Sequence, residues 1–290
     1  MSLTLAKLQQ LKRQAGAGSA AIRPTPPPSS APSLDHLRGL LRLRVPPALR
    51  PMAHDRALPG VELAHGLHYR EERLRDDAVP LHFNGAFDRR EQSLPTSNLL
   101  FFDTETTGLA GGTGTRAFMI GAADWHKGAL RIRQLTIATM AAETAMLDVF
   151  RSWLTTDTVL VSYNGKCYDA PLLATRYRLA RMGNPLAGLG HVDLLFPSRR
   201  RYRGAFENCR LATIERQVLK VVREDDLPGS EAPAAWLSYL RGGSAHTLRR
   251  VLAHNHQDVV SLSRLLRHLA EEPVPFLGAP LRCGGLPEAN

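Results

Sequence analysis

The strongest apolar run in the chain is LLFFD (99–103), four large hydrophobic residues closed by a carboxylate, which is the pattern of a buried strand. A Gly/Thr-rich loop follows. RAFMIGAADW (116–125) and ALRIRQLTIA (129–138) are then two strand-like runs split by His126-Lys127-Gly128, and they predict an antiparallel hairpin. AAETAMLDVFRSWL (141–154) has helical spacing, and TVLVSYNG (158–165) reads as another buried strand ending in a polar turn. Residues 169–182, 212–219, 234–240 and 247–269 continue as helices. The last places Leu248, Val251, Leu252, Val259, Leu262, Leu265 and Leu266 on one apolar stripe. Strands first and helices interleaved later predict an α/β domain with a mixed central sheet.

Upstream of residue 97 the texture differs. Nine of the 20 prolines lie before residue 60, and RPTPPPSSAP (23–32) is a polar linker flanked by leucine-patterned segments at 3–11 and 34–41. LPGVELAHGLHYREERLRDDAVPLHF (58–83) suggests short strands with turns at Pro59-Gly60 and Gly66. The expected organisation is therefore N-terminal helices and a Pro-rich, partly disordered linker over 1–57, then a small strand-containing preface over 58–96. The main domain spans 97–272 and a tail spans 273–290.

Composition narrows the function classes only a little. With 43% hydrophobic and 22% charged residues the chain is an ordinary globular sequence, and no stretch approaches ~18 uninterrupted apolar residues. A membrane partner is not expected, and the N-terminus lacks the apolar core of a secretory signal. Cys167, Cys209 and Cys283 lie far apart with no CxxC pair, which argues against a disulfide framework and for a reducing, cytoplasmic setting. The net charge is +10, but only five of the 37 basic residues are lysine, and the excess divides evenly about residue 97. Such a balance is compatible with nucleic acid without demanding it. No protein partner is indicated.

Candidate chemistry lies in three acidic motifs. Asp103 and Glu105 are i and i+2 in a strand, so both carboxylates face one spot at its carboxyl end. Asp169 follows the second apolar strand and opens a helix, either as a first-turn acid or as a neighbour of Asp103 across a parallel strand pair. His254 and Asp258 are i and i+4 on the long helix, close to its core side, where Asp258 requires a cation or an arginine. Four converging carboxylates would repel and raise one another's pKa values. Two Mg²⁺ or Mn²⁺ ions relieve that and suit phosphodiester hydrolysis.

DTETTGL (103–109), NGKCYDAPLL (164–173) and the His254–Asp258 pair, in that order, resemble the DEDD 3′–5′ exonucleases of the ribonuclease-H-like superfamily. GLAGGTGTRAFMIG (108–121), HVDLLFP (191–197), CRLATIE (209–215), DLPGSEAPAAWLSYLRGG (226–243) and HNHQDVVSL (254–262) resemble its YprB-like family, covering about residues 97–270. The resemblance implies a mixed five-stranded sheet flanked by helices and a two-metal site. By motif, Asp103, Glu105, Asp169 and Asp258 would be the ligands, and His254 falls where the general base would be. The spacing departs from the family. Its histidine type has the base five residues before the aspartate, where this chain has Ala253, and its tyrosine type has it four before.

Other residues keep two readings each. Thr106, Gly108 and Gly112–Gly114 either admit a nucleic-acid terminus close to the backbone or form a plain flexible loop. Asn164 either bonds the substrate backbone or caps its turn, and Asp193 is an outer acid or a cap. Arg199, Arg200, Arg201 and Arg203, interleaved with Tyr202, suit sequence-independent contact with phosphates, although charge runs are usually solvated faces. The expected function is metal-dependent 3′–5′ exonucleolytic hydrolysis of single-stranded DNA or RNA. The alternative is a nucleic-acid-binding module of the same fold with weak or no catalysis.

Overall fold

A computed structural model of the chain describes residues 55–108, 113–224 and 226–271. The leucine-patterned segments, the Pro-rich linker, Gly112 and the 273–290 tail lie outside the described residues. Two strands, β1 (Val61–Ala64) and β2 (Leu67–Arg75), precede the short pair β3 (His82–Phe83) and β4 (Leu94–Pro95). The Leu99 run is β5 (Leu99–Thr106). The expected hairpin is β6 (Ala117–His126) and β7 (Ala129–Ile137). Its His126↔Ala129 register leaves Lys127 and Gly128 as a two-residue turn, both at positive φ (52° and 71°). That is the primed geometry whose twist matches a hairpin.

Helix α1 (Glu143–Arg151) leads to β8 (Val159–Ser162), α2 (Asp169–Leu179), β9 (Gly190–Asp193) and α3 (Leu195–Tyr202). Helix α4 (Leu211–Ile214) runs into a π-helical turn, Glu215–Leu219, that ends with Lys220 in the left-handed region. Helices α5 (Ala232–Leu240) and α6 (His246–Glu271) complete the described chain.

The sheet order is β1-β2-β7-β6-β5-β8-β9, antiparallel from β1 through β5 and parallel across β5, β8 and β9. The mixed sheet implied by the resemblance is present, but it has seven strands. The two additional strands come from residues 61–75, because β2 pairs with β7 from Leu67↔Ile137 to Arg75↔Ala129.

Alternation along β5 divides the core. Leu100 and Phe102 join one apolar cluster with Phe118, Phe150, Tyr177 and Trp236, while Leu99 and Phe101 join another with Ile132, Val161 and Val192. Helix α6 serves both. Leu248, Val251 and Leu252 belong to the first cluster, and Val259, Leu262, Leu265 and Leu266 to the second. The polar residues Asn255 and Asp258 fall at the changeover, where the helix passes the acidic end of β5.

Candidate active site

Asp103 and Glu105 continue the face of β5 that carries Leu99 and Phe101, as the period of two requires. Glu105 is buried and Asp103 half-buried. Asp103 is held from α6, since Asn255 Nδ2 donates to its Oδ2 at 3.0 Å. Asn255 is fully buried, and its Oδ1 accepts from Gln134 Nε2 at 3.1 Å. The three strand positions beneath it are neighbours in register: Asp103 pairs with Gly121, and Gly121 with Gln134. The middle one is glycine for a steric reason. A Cβ there would lie 2.0 Å from Asn255 Oδ1.

Asp169 opens α2 at the carboxyl end of β8. Thr104, which leaves the opposite face of β5 from Asp103, donates its hydroxyl to Asp169 Oδ1. The turn before Asp169 is fixed by Asp193, whose carboxylate is completely buried and accepts from the backbone N–H groups of Asn164 (2.7 Å), Lys166 (3.1 Å) and Leu195 (3.1 Å). Asp193 is thus a cap. Asn164 takes the left-handed conformation at φ 67°, which asparagine tolerates better than most residues.

Helix α6 supplies the remaining acid. Among the described residues, one set of three metal-ligating side chains has its ligand atoms all within 4.8 Å of one another: Glu105, His254 and Asp258. His254 Nε2 stands 3.4 Å from Asp258 Oδ2. Asp103 and Asp169 lie outside that trio, yet both act on it electrostatically.

Burial, then the charges of Asp258, Asp169 and Glu105, push the Asp103 carboxyl well above the usual carboxylate range. Burial and then Asp258 push Glu105 up to about 8. Burial raises Asp169 to about 6, against the hydrogen bond from Thr104. Burial opposes the imidazolium form of His254, but Asp258 and Asp226 outweigh it and hold His254 above its ordinary value. Without a cation, Asp103, Glu105 and Asp169 keep their protons to higher pH than exposed carboxylates do. A buried, oxygen-rich donor set in that condition fits a hard divalent ion.

A cation does stand beside it, from a segment that sequence reasoning passed over. Arg223 donates to Asp258 Oδ1 and, by two hydrogen bonds of 2.6 and 2.8 Å, to Glu215 in the π-helical turn. Glu215 is 1% exposed, so the guanidinium is anchored in the protein interior. The arginine alternative for Asp258 is therefore realised on one of its two oxygens. The same segment brings Asp226 Oδ1 to 2.7 Å from His254 Nδ1. Asn255, Arg223, Glu215 and Asp226 are the residues the motifs did not reveal. Only Asn255 left a local signal, an amide on the apolar stripe of a long helix.

Asp103 and Asp169 share a cavity of about 380 Å³ with Thr104, Thr106, Gly108, Tyr163, Asn164 and Tyr168. Thr106, Gly108 and Asn164 are thus gathered at the acidic site. The arginine cluster does not line that cavity. Arg199, Arg200 and Arg201 occupy the last turn of α3 and Arg203 follows it in extended conformation; Arg200 donates to the Phe87 carbonyl at 2.7 Å and lies 3.8 Å from Asp88. Arg201 lies 5.9 Å from the Tyr202 ring centroid, while Arg199 and Arg203 are exposed. His256 turns the other way, with Nε2 3.3 Å from Glu72.

Comparison with known proteins bears on the family of the fold. A Bacillus subtilis (strain 168) protein named Uncharacterized protein YprB is 36% identical over 185 residues, 63% of this chain and 45% of that protein. The chain therefore spans less than half the length of that relative. Among solved structures, the family B DNA polymerase of Pyrobaculum calidifontis is similar at 16% identity and a TM-score of 0.43, over 60% of this chain and 27% of the polymerase. Exonuclease I of E. coli in complex with a dA16 oligonucleotide is similar at 15% identity and a TM-score of 0.35, over 56% and 44% of the two chains. The family profile described as the RNase_H superfamily matches residues 100–270, from the first residues of β5 to the last turn of α6. The chain belongs to the RNase H superfamily, as a YprB-like member.

Proposed function

We propose that this chain is a metal-dependent 3′–5′ exonuclease that hydrolyses phosphodiester bonds at the ends of single-stranded DNA or RNA. The observation that carries this reading is the gathering of Asp103, Glu105, Asp258 and His254 where β5 meets α6, beside the Asp169 cavity. Asp103, Glu105, Asp169 and Asp258 would hold Mg²⁺ or Mn²⁺. Divalent ions bound there supply an activated water and charge neutralisation for the leaving oxygen. The protein's own groups do the rest. His254 Nε2 faces the carboxylates and takes the proton of the attacking water. The cavity lies within the ~300–1,000 Å³ range of small-ligand pockets and suits a terminal nucleotide. Exposed Tyr168 offers it a ring face for stacking.

The test is degradation of labelled linear single strands with Mg²⁺ or Mn²⁺, with a circular strand as the endless control. Hydrolysis of the linear strand from its 3′ end, lost in Asp103→Asn and Asp258→Ala, is expected. An inactive protein with both ions, or cutting of the circle, would refute it. One observation favours a second reading, a binding module without turnover: Arg223 already pairs with Asp258. Strand binding that survives in a protein lacking metal-dependent hydrolysis would establish that alternative.

A further inference from the structure

We infer that the cleft between α6 and the segment around Arg223 is a second nucleic-acid subsite, which holds phosphates of the strand on the 5′ side of the bond to be cut. This deepens the proposed nuclease reading and rests on it for the direction of the strand. The cleft is larger than the cavity shared by Asp103 and Asp169, about 610 Å³ against about 380 Å³, and the two have no lining residue in common. Asp103 lines one and His254 the other. Glu105 joins them, since it lies on the strand of Asp103 and has a ligand atom within 4.8 Å of one on His254. A strand whose last nucleotide fills the smaller cavity passes its scissile phosphate over these carboxylates. The rest of the strand has to leave, and the larger cleft adjoins the acids.

One wall of the cleft is a single stripe of α6. His246, Arg250, Ala253, His254 and Gln257 line it, at helical spacings over about 16 Å. From His246 to Gln257 the helix carries no acid. The facing segment brings two, but Asp226 lies 2.7 Å from His254 Nδ1, and Glu224 is exposed. Arg223 is held by Glu215 and Asp258, so the charge that meets a ligand on the helix is that of Arg250, with the His246 imidazole beside it as a hydrogen-bond donor. Between them and the acids stands Ala253, exposed and too short to keep a ligand off the helix. A basic, acid-free stripe with a small residue at its middle suits a sugar-phosphate backbone, bound by charge and without reading sequence. Val222 on the facing segment, 78% exposed, offers a base of that strand an apolar surface.

The experiment adds charge to the cleft without removing a contact, by Ala253→Lys and Ala253→Glu in the full chain. Affinity for a labelled oligothymidylate of ~12 nucleotides is read by fluorescence anisotropy in EDTA. The two Kd values should stand about tenfold apart at low salt, tighter for the lysine, and the gap should close as salt rises. Arg250→Gln should weaken binding and make the slope of log K against log salt shallower by about 0.7, one phosphate contact, while Arg250→Lys keeps the slope. The same charge pair at Thr156 is the control. That residue is exposed and precedes β8, at the end of the strand away from the acids, and there Kd should move less than about twofold. A dinucleotide competitor has only the phosphate that meets the carboxylates, so its Ki should agree within about twofold between the Ala253 variants. Equal Kd values for those variants, or a gap that the Thr156 pair matches, overturns the proposal. A dinucleotide Ki that shifts as much as the longer strand's Kd overturns it as well. Hydrolysis with Mn²⁺ is scored separately: if the wild-type protein cuts nothing, the nuclease reading fails, and anisotropy still decides whether the cleft holds the strand.

Discussion

Gly121→Ala is a one-carbon change that tests how the site is built. In the native protein Asn255 rests on the bare backbone of β6, and the added Cβ would meet its Oδ1 at 2.0 Å, its Cγ at 2.8 Å and its Nδ2 at 3.0 Å. Neither backbone can yield cheaply, because Gly121 is paired on both sides and α6 packs along the sheet. The amide must therefore leave. Overpacking of this kind costs about 1–3 kcal/mol. Losing the Gln134 and Asp103 partners inside the protein costs about 1–3 kcal/mol more. For a domain of this size each kcal/mol moves Tm by about 2–4 °C, so a fall on the order of 4–24 °C is expected. Thermal unfolding by circular dichroism measures it, with Gly190→Ala as the control, where a Cβ would make an ordinary 3.4 Å contact with Val159. The decisive measurement is the pair with Asn255→Ala. Removing the amide removes the clash, so Gly121→Ala should cost much less in that background. Strict additivity of the two changes, or a Tm within 2 °C of wild type for Gly121→Ala alone, would refute the reasoning.

Four other outcomes follow from the charges and the cavity. In EDTA, stability should fall as pH rises from about 4.5 to about 8. Glu105 and Asp169 bind protons more tightly folded than unfolded, so their contribution is present at low pH and lost through about 6 and about 8; Mn²⁺ should flatten that Tm slope. Arg223→Ala leaves Glu215 buried without its partner and should destabilise by about 3–5 kcal/mol in urea unfolding. The same change frees Asp258 Oδ1, so calorimetric Mn²⁺ affinity should rise. Tyr168→Ala should raise KM for single strands about tenfold with kcat nearly unchanged, the effect of losing one stacked base.

The fold was legible where periodicity was strong. The β5, β6, β7 and β8 runs and the stripe of α6 each stand close to their expected bounds, because burial on one face forces the pattern. Helix α3 was not legible: its residues read as a short apolar run followed by arginines, and a helix with so narrow an apolar face leaves little period. The joining of β2 to β7 was also hidden. A strand with charges on both faces, Arg70 and Glu72 on one and Glu71, Arg73 and Arg75 on the other, pairs through its backbone, and the sequence does not say with which partner.

The same distinction explains what was seen of the site and what was not. Each acid motif is local, a spacing of two or four residues within one element, and spacing within an element is what a sequence displays. Arg223, Glu215 and Asp226 act across elements: Arg223 reaches back eight residues to Glu215 and forward 35 to Asp258, from a stretch without regular structure. No period marks such a segment. Electrostatics nevertheless demanded something like it, since an aspartate facing the core of α6 has to be neutralised. The sequence therefore posed the question of what cation Asp258 meets, with a metal and an arginine as its two answers. The structure makes these compatible, because Arg223 engages Oδ1 while Oδ2 faces His254, within reach of Glu105. An arginine that occupied both oxygens would have closed the site to a metal. One held back by Glu215 leaves room for it.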